Sequence, residues 1–188
     1  MTRDLLHGED VKALVRDAYG GVDGGTRAVA ELLYSPEELA LVPDAAVDRA
    51  LGVANHLRHA RIEPDDVVLD LGCGGGIDTV LAARRAALVI GLDFLPAMLE
   101  RTRAAATEAG LENVEVVEGE MESIPLGDDT VDHVISNGVV NLSPRKSRVL
   151  AECARVLRPG GGLTVSDLTV DDEELPPQIL THPATWAG

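Results

Sequence analysis

The chain has 188 residues, a length that suits one domain and is short for an α/β enzyme with a separate substrate domain. Its 32 acidic residues against 16 Lys and Arg give a formal net charge of −16, which disfavours binding to the phosphates of nucleic acid. Hydrophobic residues make up 45% and charged residues 26%, as in ordinary globular domains. We therefore expect one folded domain that does not act on nucleic acid.

Cysteine usage and hydropathy exclude further classes of protein. The two cysteines, Cys73 and Cys153, are not part of any Cys/His spacing typical of a metal site, and they are too few for a disulfide framework. Residues 1–10 carry acids where a signal peptide would be apolar, and no apolar run approaches the roughly 18 residues of a membrane span. We expect a cytoplasmic protein without a metal site or a membrane contact.

The first third of the chain predicts a helical cap over residues 1–60. Apolar residues at helical spacing favour a helix over 9–19, and residues 28–33 form a short apolar segment. Ser35-Pro-Glu-Glu38 has the cap, the proline and the early acids of a helix start. The region 43–60 is also predicted to be helical.

After residue 60 the chain alternates between strand-like and helix-like segments. This alternation predicts a Rossmann-like α/β core over residues 61–170, with a mostly parallel sheet of five strands and helices on both faces. Residues 171–188 form an acidic tail. The predicted elements are strand 67–71, helix 76–86, strand 88–92, helix 96–109, strand 114–118, strand 131–136, helix 144–157 and strand 163–167.

The first of these strands runs into a glycine turn of the form D-x-G-x-G-x-G. Gly72, Gly74 and Gly76 remove the Cβ atoms that would keep the backbone away from a ligand, and they allow positive φ angles. Such turns also close ordinary β-α units, so the turn alone does not establish a ligand site. The next strand, however, ends in Asp93, about 20 residues further on, where an acid can accept hydrogen bonds from both ribose hydroxyls. The two features together predict a nucleoside-bearing cofactor.

The details of the turn select among such cofactors. A dinucleotide site requires G-x-G-x-x-G, but the sixth position counted from Gly72 is Ile77. Asp70 in the turn would repel phosphates and attract a ligand that carries an ammonium and a sulfonium group. The sequence therefore predicts S-adenosylmethionine, with S-adenosylhomocysteine as the product form.

Residues after the second and third strands extend the predicted cofactor site. Phe94 and Met98 follow Asp93 closely and are included in it. Beyond the third strand, Glu120 could accept a bond from the adenine amino group, and Met121 could cover the ring. Taken alone, Glu120 fits a solvated loop acid better than a ligand contact.

The end of the fourth strand supplies candidates for the methyl-transfer end of the site. Ser136 and Asn137 would lie beneath the transferable methyl group, with Asn137 also in contact with the cofactor; polar loop residues without a catalytic role are the alternative. A base is useful for an oxygen or nitrogen acceptor, and His56 is a candidate in the predicted cap. His7 and His59 are further imidazoles there, and each of the three is more often a surface histidine than a base.

The chain as a whole resembles the class I S-adenosylmethionine-dependent methyltransferases and, more narrowly, the arsenite methyltransferases. The glycine turn and Asp93 match all class I enzymes, and the block Ser136-Asn-Gly-Val-Val-Asn-Leu142 matches the narrower family. Other matching segments are Tyr34-Ser-Pro-Glu-Glu-Leu39, Met98-Leu99, Asn113-Val114, Ile124-Pro125, Arg155-Val-Leu-Arg-Pro-Gly160 and Ser166-Asp167.

The chain departs from that family at its cysteines. The resemblance implies a cysteine at the position of Gly138, another at the position of Val53, and a third in a segment that would begin about where this chain stops. Trivalent arsenic is a soft metalloid that thiolates hold. We therefore predict a methyltransferase for a small molecule other than free arsenite. The alternative is a catalytically silent cofactor-binding module that serves as a partner subunit.

The fifth predicted strand is expected to be an edge of the sheet. Class I enzymes carry two more strands after it, so the chain is either C-terminally short or covered there by a homodimer contact or a heteromeric partner. Leu163 and Val165 are expected to pack on one face of this strand.

Overall fold

The computed structural model describes residues 27–169, together with Ala13. Apart from Ala13, the helix predicted over 9–19 lies outside these residues, and so does the acidic tail. No helix within 27–169 has the length and apolar character that crossing a membrane requires.

The described residues form six α-helices and five strands, interspersed with two short 3₁₀ turns. The helices are α1 Arg27–Leu33, α2 Pro36–Leu39, α3 Asp44–Val47, α4 Ile77–Ala83, α5 Pro96–Glu108 and α6 Lys146–Val156. The strands are β1 Val67–Leu71, β2 Leu88–Asp93, β3 Val114–Glu118, β4 Val131–Asn137 and β5 Leu157–Ser166, and the 3₁₀ turns are His56–Arg58 and Val140–Leu142.

The five strands form one parallel sheet in the order β3-β2-β1-β4-β5. This confirms the predicted Rossmann-like α/β fold. The order reverses at β1, which is flanked by β2 on one side and by β4 on the other. Ligands of such sheets bind at the carboxyl ends of the strands beside this reversal, so the fold places a site above β1.

Two apolar clusters cover the two faces of the sheet. Val68 belongs to the cluster shared with α1, α3 and α4, whereas its neighbour Leu69 belongs to the cluster shared with α6. Both residues are fully buried. Burial on both faces explains why the central strands are continuous apolar runs, and hence why their bounds were predictable from the sequence.

The segment before the sheet differs from the predicted helical cap. Ser35 and Glu38 form the expected capping box at the start of α2. The helix predicted over 43–60, however, is wrong: only Asp44–Val47 is α-helical, followed after a gap by the 3₁₀ turn. The end of this segment instead lies against the tip of β4, because the backbone groups of Val53 and Ala54 bond to the Asn137 side chain.

The last strand is longer and less regular than predicted. β5 begins at Leu157 rather than at residue 163, and its pairing with β4 jumps from Val131↔Leu157 to His133↔Gly162. The glycine-rich segment 158–162 is therefore a bulge within the strand. Leu163 and Val165, expected to be packed, are 42% and 38% exposed, because they lie on the edge strand, which pairs only with β4 among the described residues.

Candidate functional site

The glycine turn after β1 adopts the backbone that its sequence predicts. Gly72, Gly74 and Gly76 all have positive φ, at 78°, 52° and 91°. A Cβ on Gly72 would stand 2.8 Å from the side chain of Val139, and one on Gly76 would stand 3.1 Å from the Cα of Thr102. The turn therefore requires glycine for both conformation and space, and it leaves a cradle that side chains would fill.

Two sets of hydrogen bonds hold the turn in place. The carbonyl of Leu92, in β2, accepts from the backbone N–H groups of Gly72 and Cys73 at 2.8 and 3.0 Å. From the other side, the buried hydroxyl of Thr102, in α5, donates to the carbonyl of Gly74 at 3.0 Å. The cradle is thus held in place by β2 on one side and by α5 on the other.

Asp93 lies at the tip of β2, beside the turn. One carboxylate oxygen accepts from the N–H of Leu95 at 3.0 Å, and the other accepts from the N–H of Gly74 at 3.1 Å. Each oxygen keeps a second lone pair that could accept a ribose hydroxyl. Burial raises the pKa of this carboxyl group, and the backbone donors oppose the rise.

A pocket of about 1000 Å³, counted with its open mouth, lies above these residues. It runs from Asp93 across the glycine turn to the tip of β4. Of the ten predicted cofactor residues, nine line it: Asp70, Gly72, Gly74, Gly76, Asp93, Phe94, Met98, Met121 and Asn137. The fold therefore brings together residues that are up to 67 positions apart in the sequence.

Asp70 lies beneath the middle of the pocket. Its carboxylate accepts a hydrogen bond from the Thr79 hydroxyl and is almost fully buried. Burial raises the pKa of Asp70 to about 8, and the nearby charges of Asp78 and Asp93 act in the same direction. A ligand ammonium or sulfonium group would counter this cost, whereas a phosphate would increase it.

A polar cluster closes the end of the pocket opposite Asp93. The hydroxyl of Tyr34 donates to one carboxylate oxygen of Asp78 at 2.7 Å, and the side-chain amide of Asn137 donates to the other at 2.9 Å. All three residues line the pocket. Burial raises the pKa of the Asp78 carboxyl group, opposed by His56 and by these two donors.

Asn137 also holds the segment before the sheet. Its amide oxygen accepts from the N–H groups of Val53 and Ala54 at 2.9 and 3.3 Å, and its NH₂ group donates to the carbonyl of Ala54 at 2.8 Å. With the bonds to Asp78 and Tyr34, the amide has used its hydrogen-bonding capacity. The contacts support a role in positioning the pocket wall rather than in catalysis.

Three other predicted residues do not line this pocket. Ser136 is fully buried, and its hydroxyl donates to the carbonyl of Leu71 at 3.2 Å. His56 is 1% exposed and lies behind Asp78, with its Nδ1 3.9 Å from the carboxylate. Glu120 is exposed and borders a smaller adjoining pocket with Met121. The geometry gives Ser136 and His56 no direct contact with a ligand.

Sequence reasoning assigned no role to Tyr34, Asp78 or Thr102. Tyr34 and Asp78 stand within segments that carry the family resemblance, and this was the available signal. Their hydrogen bond joins positions 44 residues apart, which neither spacing nor periodicity could predict. Thr102 resembles any other small residue on the buried face of a helix.

Both cysteines are buried and unoxidised. Burial raises the pKa of the Cys73 thiol, and it raises that of Cys153 to about 11. Neither thiol is thus primed as a thiolate ligand.

The sheet order, the glycine cradle and the acid at the tip of β2 define a class I methyltransferase architecture. The family model described as "Methyltransferase domain" matches residues 62–187, and the chain belongs to this family. The chain is 37% identical over 205 residues to an arsenite methyltransferase from Halobacterium salinarum, an alignment that covers 92% of this chain and 52% of that protein. It is 31% identical over 173 residues to a glycine/sarcosine/dimethylglycine N-methyltransferase from Actinopolyspora halophila, covering 90% of this chain and 29% of that protein.

Solved structures support the same relationship. The crystal structure of an arsenic(III) S-adenosylmethionine methyltransferase from Chlamydomonas reinhardtii matches with a TM-score of 0.65 and 32% identity, over 92% of this chain and 54% of that one. The chain therefore spans about half the length of these arsenic-related proteins. The predicted resemblance and the predicted cofactor, S-adenosylmethionine, are confirmed at the level of the family.

Proposed function

We propose that the chain is an S-adenosylmethionine-dependent methyltransferase that acts on a small molecule other than free arsenite. The observation that carries the proposal is one continuous pocket lined by the glycine turn and Asp93 at one end and by a separate polar cluster at the other. Asp93 and the glycine turn form the first end, and Tyr34, Asp78 and Asn137 form the second. A donor bound at one end would present its reactive carbon toward the other.

The residues of the pocket suit each part of the cofactor. The Asp93 carboxylate would accept the ribose hydroxyls, and the glycine turn would allow the backbone to approach the methionine part closely. Asp70 would balance its positive charges. Phe94, Met98 and Met121 supply apolar surface for the adenine ring. When bound, the cofactor supplies a methyl group on a sulfonium, and the protein contributes mainly by holding the acceptor in line with it.

The acceptor is proposed from what the site lacks and from what its relatives do. Val53 and Gly138 occupy the two positions at which the arsenite methyltransferase resemblance implies cysteines. This part of the described site therefore offers no pair of thiolates for arsenic. Among the relatives, one is named as a methyltransferase of arsenite and another as a methyltransferase of the amines glycine, sarcosine and dimethylglycine. The alternative of a silent cofactor-binding subunit is less well supported, because the relatives named above are methyltransferases.

Two measurements on the purified chain test the proposal. Calorimetric titration with S-adenosylmethionine and S-adenosylhomocysteine should show saturable binding of both. Transfer of labelled methyl groups should then occur to at least one member of a panel of phenols, amines, thiols and arsenicals. Binding without transfer to any member would favour the silent subunit, and absence of binding would overturn the proposal.

A further inference from the structure

At the second end of the pocket, Tyr34, Asp78 and His56 follow one another from the pocket inward, in an order that suits proton transfer. Tyr34 faces the pocket, and its hydroxyl donates to Asp78 at 2.7 Å. Behind Asp78 lies the imidazole of His56, buried to 1% exposure and without a hydrogen bond of normal geometry at either ring nitrogen. The order from the pocket inward is therefore hydroxyl, carboxylate, imidazole.

The charges in this cluster favour uptake of one proton. Among the described residues, His56 is the one potential cation within 4 Å of the Asp78 carboxylate, and burial lowers the pKa of its imidazole. Asp78 also feels the negative charge of Glu38. A buried carboxylate that has neutral donors and negative neighbours is a stronger base than a solvated one.

Resting on the proposed function, we propose that Asp78, reached through the Tyr34 hydroxyl, takes up the proton that an oxygen or nitrogen acceptor loses on methylation. The lone pair of the acceptor forms the new bond to the methyl carbon, and the electron pair of the broken C–S bond stays on sulfur. The proton of the acceptor passes to Tyr34 Oη as the Tyr34 proton passes to Asp78. Tyr34 is then the catalytic residue, and Asp78 and His56 act through it.

The charge change of the reaction favours this transfer. Methyl transfer removes the positive sulfonium charge from the pocket, so nearby carboxylates gain affinity for a proton at the moment when one is released. The same change can be produced without an acceptor by comparing two ligands. S-adenosylmethionine carries the sulfonium charge, and S-adenosylhomocysteine does not.

Calorimetry in buffers of different ionisation enthalpy measures the protons taken up on binding. The wild-type chain should take up more protons with S-adenosylhomocysteine than with S-adenosylmethionine. Asp78→Asn should reduce this difference by up to about one proton per site, since one group no longer changes its occupancy. Asp132→Asn, a control acid that does not line the pocket, should leave the difference unchanged.

Tyr34→Phe provides a second variant that keeps the carboxylate. Loss of the hydroxyl removes a donor that stabilises the charged form of Asp78, so the pH at which the ligand difference is largest should move upward. A difference that is unchanged in Asp78→Asn, that shrinks in Asp132→Asn, or that has the same pH profile in Tyr34→Phe would overturn the inference. Binding of both ligands with equal proton uptake would overturn this inference alone, whereas absence of binding would overturn the proposed function as well.

Discussion

Val53 and Gly138 face each other across the rim of the pocket: a Cβ added to Gly138 would stand 3.2 Å from Cγ1 of Val53. These are the two positions at which the arsenite methyltransferase resemblance implies cysteines. Positions 85 residues apart thus meet where two thiolates could share one metalloid atom. Here an isopropyl group and a hydrogen atom meet instead, and the chemistry of the rim is apolar.

The purified chain should neither methylate arsenite at an appreciable rate nor bind it tightly. Soft trivalent arsenic requires thiolates, and the two thiols of the chain are buried with raised pKa values. Chromatographic analysis of arsenic species after incubation with S-adenosylmethionine checks the first expectation, and equilibrium dialysis checks the second. Robust formation of methylarsenicals would assign to Cys73 or Cys153 a role that their burial argues against.

Asp93→Ala should weaken cofactor binding by roughly 10- to 150-fold. The reason is the loss of ribose hydrogen bonds to a charged acceptor, worth about 1.5–3 kcal/mol. Calorimetric titration measures the change. Glu100→Ala is the matched control, because it removes an exposed acid of α5, and it should leave the affinity as it is. Equal affinities for Asp93→Ala and the wild type would contradict the assignment of Asp93 to the ribose.

Gly52→Ala should destabilise the wild-type chain but be tolerated once Asn137 is truncated. A Cβ at position 52 would stand 2.5 Å from Nδ2 of Asn137, a distance at which one group must move. Overpacking of this kind costs about 1–3 kcal/mol, and in Asn137→Ala the obstructing amide is gone. Urea unfolding of the two single variants and the double variant gives the coupling energy.

Gly75→Ala is the control for that cycle, because its Cβ would meet only ordinary contacts, the nearest at 3.7 Å. Its effect should be the same with and without Asn137. Strict additivity between Gly52→Ala and Asn137→Ala would show that the amide does not fix residues 51–54.

Thr102→Val should lower the free energy of unfolding by about 1 kcal/mol, because a partly buried carbonyl loses its donor at nearly constant side-chain volume. That carbonyl is the one of Gly74, in the glycine turn. Thr130→Val removes a similar bond, to the carbonyl of Gly127, from an exposed site, and its cost should stay within about 0.5 kcal/mol. Equal effects of the two substitutions in urea unfolding would remove Thr102 from the support of the turn.

Without ligand, the chain should lose stability as the pH rises from 6 to 8.5, and Asp70→Asn should make this loss shallower. Asp70 has a folded pKa of about 8 against an ordinary value of 3.8, so between these values the folded state holds a proton that the unfolded state has released. Stability therefore falls with rising pH across that window. Thermal unfolding in a pH series gives the slope.

Asp132→Asn is the control for this slope. The pKa of Asp132 is lowered, first by the backbone N–H of Val67, so this carboxyl group titrates only in acid. Its removal should leave the slope between pH 6 and 8.5 unchanged. An unaltered slope in Asp70→Asn would mean that other groups set the pH dependence.

The parts of the fold that sequence predicted well are those whose pattern is local. β1 and β3 have the predicted bounds. β1 is predictable because a buried parallel strand reads as an apolar run between turns. β3 is predictable because its partly buried valines and exposed glutamates are typical of a half-exposed strand. The helix predicted over 43–60 failed because Asn137, more than 80 residues later, captures the backbone of Val53 and Ala54. Local propensity carries no information about such a distant partner.

One end of the candidate site was predictable from local sequence patterns, and the other end was not. The glycine turn and Asp93 follow from a spacing rule, so the nucleoside end was visible in the sequence. The second end is assembled from three separate elements by Tyr34, Asp78 and Asn137, and nothing in their spacing indicates that they meet. Ser136 was chosen by its place at a strand tip, but the pleat of β4 turns its side chain toward Leu71 instead.

The bulge in β5 limits how this side of the sheet can be extended. Between Leu157 and Gly162 the strand gains three residues relative to β4, and Gly160 has a φ of 88°. A strand that added along this border would find a regular ladder only over residues 162–166, a run too short to template a long cross-β stack. The bulge therefore makes the free edge of β5 a poor template for fibril-like growth. The regular part of the strand would still be long enough to pair with one short strand.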